Sequence, residues 1–75
     1  MYYSMKCSYG ANEFFYKRGF KKHNHDAQKQ FVIDAKNQAI LDLAAAGVPG
    51  ITSNLLSTTA IRQEDSDPGE DYREI

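Results

Sequence analysis

The sequence is poor in residues on which many functions depend. Its 75 residues include one cysteine, two prolines and no tryptophan. A single cysteine excludes a disulfide within the chain, and it also excludes zinc sites of the Cys₄ or Cys₂His₂ type. We therefore expect a reduced protein in the cytoplasm.

Long apolar runs are also missing. No stretch approaches the ~20 apolar residues that a membrane-spanning helix needs. The first residues, Met1 to Lys6, lack the apolar segment of a signal peptide. A chain of this length forms one domain at most, and such a domain buries only about 60% of its unfolded surface. We expect a soluble domain with a small core and no enclosed active site.

Positive and negative charges almost cancel, but they are unevenly distributed. Nine Lys and Arg residues stand against ten Asp and Glu residues. Residues 1–25 carry a net charge of +4, residues 26–61 carry −1, and residues 62–75 carry −4. This gradient indicates a basic contact surface followed by an acidic tail. A simpler interpretation is a solvated tail that keeps a small protein soluble.

Two segments near the start of the chain predict a β-hairpin. Residues 1–9 alternate between an apolar set that includes Tyr3, Met5 and Cys7 and a more polar set, which is the period of a half-buried strand. Residues 13–21 alternate again, and the residues between the two segments, Gly10 to Asn12, favour a turn.

A helix is predicted after the hairpin. Residues 27–46 contain eight Ala or Leu residues and neither Gly nor Pro. Asp26 is the predicted N-cap, and Gly47 with Pro49 would end the helix. Residues 51–61 fit either a strand or a short helix capped by Thr52 or Ser53. We favour a strand over 55–62, because a two-stranded sheet is too narrow to be stable alone.

The predicted fold is α+β, with one domain over residues 1–62. It is a two-layer β-β-α-β unit, in which one helix covers a three-stranded antiparallel sheet of order 2-1-3. Residues 63–75, called the tail below, are acidic and rich in turn formers, so we expect them to be disordered and flexible. The predicted core consists of Met5, Cys7, Tyr9, Phe14, Tyr16, Phe20, Phe31, Val32, Ala35, Ala39, Leu43, Leu55 and Ile61.

No enzyme chemistry is predicted. The run from His23 to Asp26 offers two imidazoles and a carboxylate, but a metal site needs a further clustered pair of ligands, so a polar loop before the helix is the better interpretation. Cys7 lies among apolar strand positions with no predicted base nearby, as in a buried structural cysteine. We predict no catalytic residue, no metal and no cofactor.

The outer face of the hairpin carries the strongest functional signal. Aromatic and basic side chains interleave there, and we call this predicted partner-binding set the basic-aromatic face: Tyr2, Lys6, Phe15, Lys17, Arg18, Lys21 and Lys22. Exposed aromatic residues with basic neighbours are typical of protein interfaces, and also of platforms that bind single-stranded nucleic acid. The tail offers a second set of contacts, either to a partner or to the hairpin itself: Glu64, Asp65, Asp67, Glu70 and Asp71.

The size of the chain and the missing catalytic cluster favour a protein-binding module. We predict an adaptor, inhibitor or modulator of a larger protein or complex, comparable to small phage or plasmid accessory proteins. The alternative is a nucleic-acid-binding protein that uses the basic hairpin, although the near-zero net charge weighs against it. A homodimer is a further possibility, because a thin domain gains stability when its open sheet face is covered.

Overall fold

The alternating residues at the start of the chain form the hairpin that organises the fold. In the computed structural model, which describes residues 1–75, β1 (Tyr2–Tyr9) and β2 (Asn12–Gly19) pair antiparallel along their whole length. Gly10 in the connecting turn has φ of 59°, a left-handed conformation that favours glycine. The hairpin is the centre of the sheet.

The helix begins two residues before its predicted start. Helix α1 spans His25–Ala45, and its N-cap is Asn24 rather than Asp26. The Asn24 side chain accepts hydrogen bonds from the backbone N–H groups of Asp26, at 2.8 Å, and Ala27, at 3.3 Å. The prediction of Asp26 was wrong because Asp26 already lies inside the first turn, where its charge interacts favourably with the helix dipole. Gly47 follows the helix with φ of 89°.

The third strand is interrupted. A short 3-10 helix at Ser53–Leu55 precedes β3 (Ser57–Thr58), and β4 (Arg62–Glu64) follows; both strands pair antiparallel with β1. Between them, Thr59 continues the contact, since its N–H donates to the carbonyl of Lys6 and its hydroxyl accepts from the Lys6 N–H. Residues 51–61 therefore contain both a short helical turn and a short strand, the two alternatives predicted for them.

The tail is ordered and completes the sheet. After β4, residues 65–72 cross the sheet face opposite α1, and β5 (Arg73–Glu74) pairs parallel with β2 at Tyr16 and Lys17. The sheet is mixed and has five strands, in the order β3-β1-β2-β5 with β4 beside β1. The α+β class with one helix is confirmed. The predicted position of the third strand, antiparallel beside β1, is also found. The three-stranded, all-antiparallel sheet and the disordered tail are corrected, because contacts with the hairpin order the tail and add the parallel strand β5.

The core lies between the hairpin and α1. Seven predicted residues are at most 3% exposed: Met5, Cys7, Tyr16, Phe31, Ala35, Ala39 and Leu43. Tyr3, which was placed on the apolar strand face but not in the predicted core, is also buried, at 1% exposed. Half-buried side chains pack around this cluster, namely Phe14, Phe20, Val32 and Ile61. Tyr9 is only half-buried, and Leu55 is 54% exposed because it falls in the 3-10 turn rather than in a strand.

The helix buries one narrow stripe of side chains against the rest of the protein, namely Phe31, Ala35, Ala39 and Leu43. Its inward positions carry small or apolar side chains, while Ile33 and Leu41 are exposed on the outside. Alanines at two inward positions let the helix lie close to the sheet. No helix in the structure combines the length and the apolar composition needed to cross a membrane.

Candidate functional site

The hairpin register decides which predicted site residues share a face. Ser4 pairs with Lys17 and Lys6 pairs with Phe15, so these side chains lie on the face opposite α1, together with Tyr2. Arg18 pairs with Tyr3 and lies on the helix side instead. The register therefore separates Arg18 from the other strand residues of the basic-aromatic face.

Arg18 joins the hairpin to the helix. Its Nη2 atom donates to Asp34 at 2.8 Å, and its guanidinium carbon lies 5.7 Å from the centre of the Phe31 ring. Hydrogen bonds from Gln30 and Arg18 hold the pKa of Asp34 below its ordinary value. These contacts give Arg18 a structural role between sheet and helix.

Lys17 is the buried centre of the opposite face. It is only 8% exposed, and its ammonium donates to Oδ1 of Asp67 at 2.6 Å and to the carbonyl of Gly69 at 2.9 Å. The Tyr2 ring centre lies 5.8 Å from the same ammonium. A buried ammonium needs such partners, because desolvation without them is costly. The pair raises the pKa of Lys17 and lowers the pKa of Asp67.

The tail covers this face from one edge of the sheet to the other. Near β4, the buried Ser4 hydroxyl donates to Glu64 at 3.2 Å. Further along, the rings of Phe15 and Tyr72 meet edge to face, with centres 5.4 Å apart. Of the contacts predicted for the tail, the one with the hairpin itself is found: the tail covers Lys17 and Phe15 of the basic-aromatic face.

The remaining predicted residues lie around this contact. Lys6 forms an ion pair with Glu13 at 2.8 Å across the hairpin. Lys21 and Lys22 are exposed beyond β2 and form no ion pair. In the tail, Glu64 lies 3.7 Å from Arg62. The other predicted acids of the tail are exposed and unpaired: Asp65, Glu70 and Asp71.

The end of the tail is held by residues that the sequence prediction missed. Arg73 donates to Asp42 at 2.9 Å, and the same carboxylate accepts from the Tyr16 hydroxyl at 2.6 Å. Burial and this hydrogen bond raise the pKa of Tyr16. Ile75 donates its N–H to the carbonyl of Lys17 at 3.0 Å, and its own carbonyl oxygen accepts from Nε of Arg18 at 2.8 Å. The sequence offered one signal for this attachment, which is the apolar residue Ile75 at the end of an acidic segment.

A cavity of about 200 Å³ remains beside the tail. It is smaller than the ~300–1,000 Å³ of typical small-molecule sites, and its size suits one side chain. Basic and aromatic groups share its lining, which includes Ser4, Lys6, Phe15, Thr59, Arg62 and Tyr72. The Arg62 side chain is 73% exposed, so its charge is accessible at the mouth of the cavity.

The histidines contact aromatic residues, and the cysteine is buried. The His23 and His25 rings lie 5.3 Å apart, and Nδ1 of His23 is 2.9 Å from the Tyr3 hydroxyl. No three His, Cys, Asp or Glu side chains are grouped as metal ligands. Cys7 is fully buried, and burial raises the pKa of its thiol, which disfavours the nucleophilic thiolate.

Comparison with protein-family models, with curated proteins and with solved structures gives no match for this chain. The site geometry is therefore the basis on which a function is proposed. That geometry offers noncovalent recognition through charge pairs, aromatic contacts and backbone pairing along β2.

Proposed function

We propose that this protein is a small, non-enzymatic protein-binding module, which acts as an adaptor, inhibitor or modulator of a larger protein or complex in the cytoplasm. One observation carries the proposal: the face opposite α1 holds a polypeptide segment, the tail. It does so through an ion pair at Lys17, an aromatic contact at Phe15 and backbone pairing at β5. Protein interfaces use the same three kinds of contact.

The cavity beside Tyr72 supplies an anchor point for a partner. Interface energy is concentrated where one side chain fills a pocket and neighbouring contacts exclude water. Here Phe15 and Tyr72 provide aromatic walls, while Lys6 and Arg62 provide positive charge. We assign to this cavity an apolar or aromatic side chain of the partner, adjacent to an acidic residue that Arg62 binds.

The test is a comparison of two charge reversals in the full chain. Tagged wild-type protein, Arg62→Glu and Lys29→Glu are used to purify partners from the native host, with and without nuclease. Lys29 is exposed on α1, on the other side of the sheet, so it is the matched control. We expect Arg62→Glu to lower recovery of a defined partner at least about tenfold, as charge reversal in an interface costs several kcal/mol. Equal recovery with both variants would reject the site.

A nucleic-acid-binding function is the second candidate. Its specific support is that Lys21 and Lys22 are exposed without an acidic partner and stand next to His23. Phosphate contacts make affinity fall steeply with salt. We test this candidate by titrating single-stranded DNA at several salt concentrations with wild-type protein and the Lys21→Glu, Lys22→Glu double variant. A flat salt response, or an unchanged affinity in the double variant, rejects this candidate.

A further inference from the structure

Beyond β4, the tail is attached to the rest of the protein at separate points. Its regular pairing there is the two-residue strand β5, and its side-chain anchors are Asp67 on Lys17, Tyr72 on Phe15 and Arg73 on Asp42 of α1. Lys17 also donates to the Gly69 carbonyl, and the backbone of Ile75 binds Lys17 and Arg18. Other tail residues, among them Glu70 and Asp71, point into solvent. Segments with few buried contacts open at a low free-energy cost compared with the core.

The groove under the tail has its own chemical preferences. Lys17 offers a buried ammonium, Phe15 offers an aromatic edge contact, and the outer edge of β2 offers backbone groups for a parallel strand. The tail meets these preferences with Asp67, then Tyr72, and then Ile75, which packs against the hydrophobic core. The groove thus fits a segment in which an acid precedes an aromatic and an aliphatic residue, with a turn at Gly69–Tyr72 between the acid and the paired strand.

We infer that residues 65–75 are an intramolecular occupant of a peptide-binding groove, and that an acidic, tyrosine-containing segment of a partner protein binds by replacing them. This inference rests on the proposed protein-binding function and names the chemistry of the partner. Charge complementarity supports it, since the groove presents the Lys17 ammonium and the segment that covers this ammonium belongs to the most acidic part of the chain. The tail regulates access, because the partner binds only the fraction of molecules whose tail is open.

A synthetic peptide with the sequence of residues 62–75, labelled with fluorescein, is the probe. Its affinity for full-length variants is measured by fluorescence anisotropy. Asp67→Asn weakens the tail of the protein but leaves the groove intact, and the peptide still carries its own Asp67. The matched control is Asp71→Asn, which removes the same charge from an exposed position without an ion pair. A third variant, Lys17→Met, opens the tail but removes the ammonium that the peptide needs.

We expect the peptide to bind Asp67→Asn about fivefold more tightly than wild type, because a weaker tail raises the open fraction by the same factor. Asp71→Asn should match wild type, and Lys17→Met should bind more weakly than Asp67→Asn. Absence of binding to Asp67→Asn, or equal affinity for Asp67→Asn and wild type, overturns the inference.

Two further measurements test whether the variants are folded and whether they form dimers. Amide exchange in α1 shows whether Asp67→Asn is folded; if it is not, Tyr72→Ala takes its place with the same expectation, since it removes the tail contact with Phe15. Light scattering gives the mass of each variant. A dimer of Asp67→Asn would mean that the tail of a second copy fills the groove, which also overturns the assignment to a partner protein.

The two proposals fail in different ways. If partner recovery depends on Arg62 but no variant binds the peptide, the protein-binding function is supported, and the replacement of the tail by a partner segment is wrong. If the peptide binds as expected but Arg62→Glu leaves partner recovery unchanged, the groove is a peptide site and the cavity is not the anchor point.

Discussion

The ammonium of Lys17 lies 2.6 Å from a carboxylate oxygen of Asp67, 50 residues further along the chain. This pair joins the centre of the hairpin to the middle of the tail. It turns an exposed basic strand position into a buried one, with Lys17 only 8% exposed. The most basic part of the sequence is thereby covered by the most acidic part, and access to the hairpin face depends on whether the tail is closed.

Acidification is expected to open the tail. Lys17 holds the pKa of Asp67 below its ordinary value, so the stabilisation is complete above the ordinary Asp pKa of about 4 and is lost as the pH falls through the lowered pKa. The Ile75 amide donates to the Lys17 carbonyl, so its hydrogen-exchange rate measures local opening of the tail.

The Asp67→Asn variant is the control for this pH dependence. Asp34 also has a lowered pKa, through Gln30 and Arg18, so global stability falls in acid for a second reason. Arg18 binds both Asp34 and the Ile75 carbonyl, so only the part of the acid dependence at Ile75 that Asp67→Asn removes is assigned to Asp67. If Asp67→Asn and wild type show the same acid dependence at Ile75, Asp67 does not hold the tail closed.

Asn24→Ala is expected to destabilise the protein by about 1 kcal/mol. Its side chain accepts hydrogen bonds from two backbone N–H groups at the start of α1, and loss of an N-cap typically costs ~0.5–2 kcal/mol. Asp26→Ala removes only a favourable charge near the helix dipole, which is worth roughly 0.3–1 kcal/mol. Urea unfolding of both variants measures the difference. A larger loss for Asp26→Ala would contradict the observed cap.

Leu43→Ala and Leu41→Ala should differ strongly in stability. Leu43 is fully buried, and truncation of a buried leucine costs about 2–5 kcal/mol. Leu41 is 63% exposed on the outer side of the same helix, and its truncation should change stability by less than about 0.5 kcal/mol. Thermal unfolding provides the comparison. Similar losses in the two variants would mean that the outer face of α1 is covered in solution.

Tyr16→Phe is expected to cost about 1.5 kcal/mol. The Tyr16 hydroxyl donates to Asp42 at 2.6 Å, and hydrogen bonds to charged groups contribute ~1.5–3 kcal/mol. The loss should lie at the low end, because Asp42 keeps its contacts with Gln38 and Arg73. Tyr9→Phe is the control, since the Tyr9 hydroxyl forms no hydrogen bond within the protein. Equal stability of the two variants would rule out a significant Tyr16–Asp42 interaction.

Local patterns predicted the hairpin and the helix well. Alternation along residues 1–9 placed Met5 and Cys7 in the core, and helical spacing did the same for Phe31, Ala35 and Ala39. The predicted ends of the helix and of the third strand were less accurate. Asn24 and Asp26 are both good capping residues, and only the direction of the incoming chain determines which one lies outside the first turn. Leu55 was misplaced for a similar reason, since its apolar character fits both a strand and a turn.

The sequence by itself determined the two faces of the hairpin, because side chains alternate along a strand whatever surrounds it. It also determined that the tail is acidic. Only the tertiary structure decided what covers the basic-aromatic face. An acidic segment is disordered when it has no partner, and the partner that orders Asp67 is Lys17, which no local pattern connects to it. The basic hairpin and the acidic tail, which lie at opposite ends of the chain, are thus in contact in the folded protein.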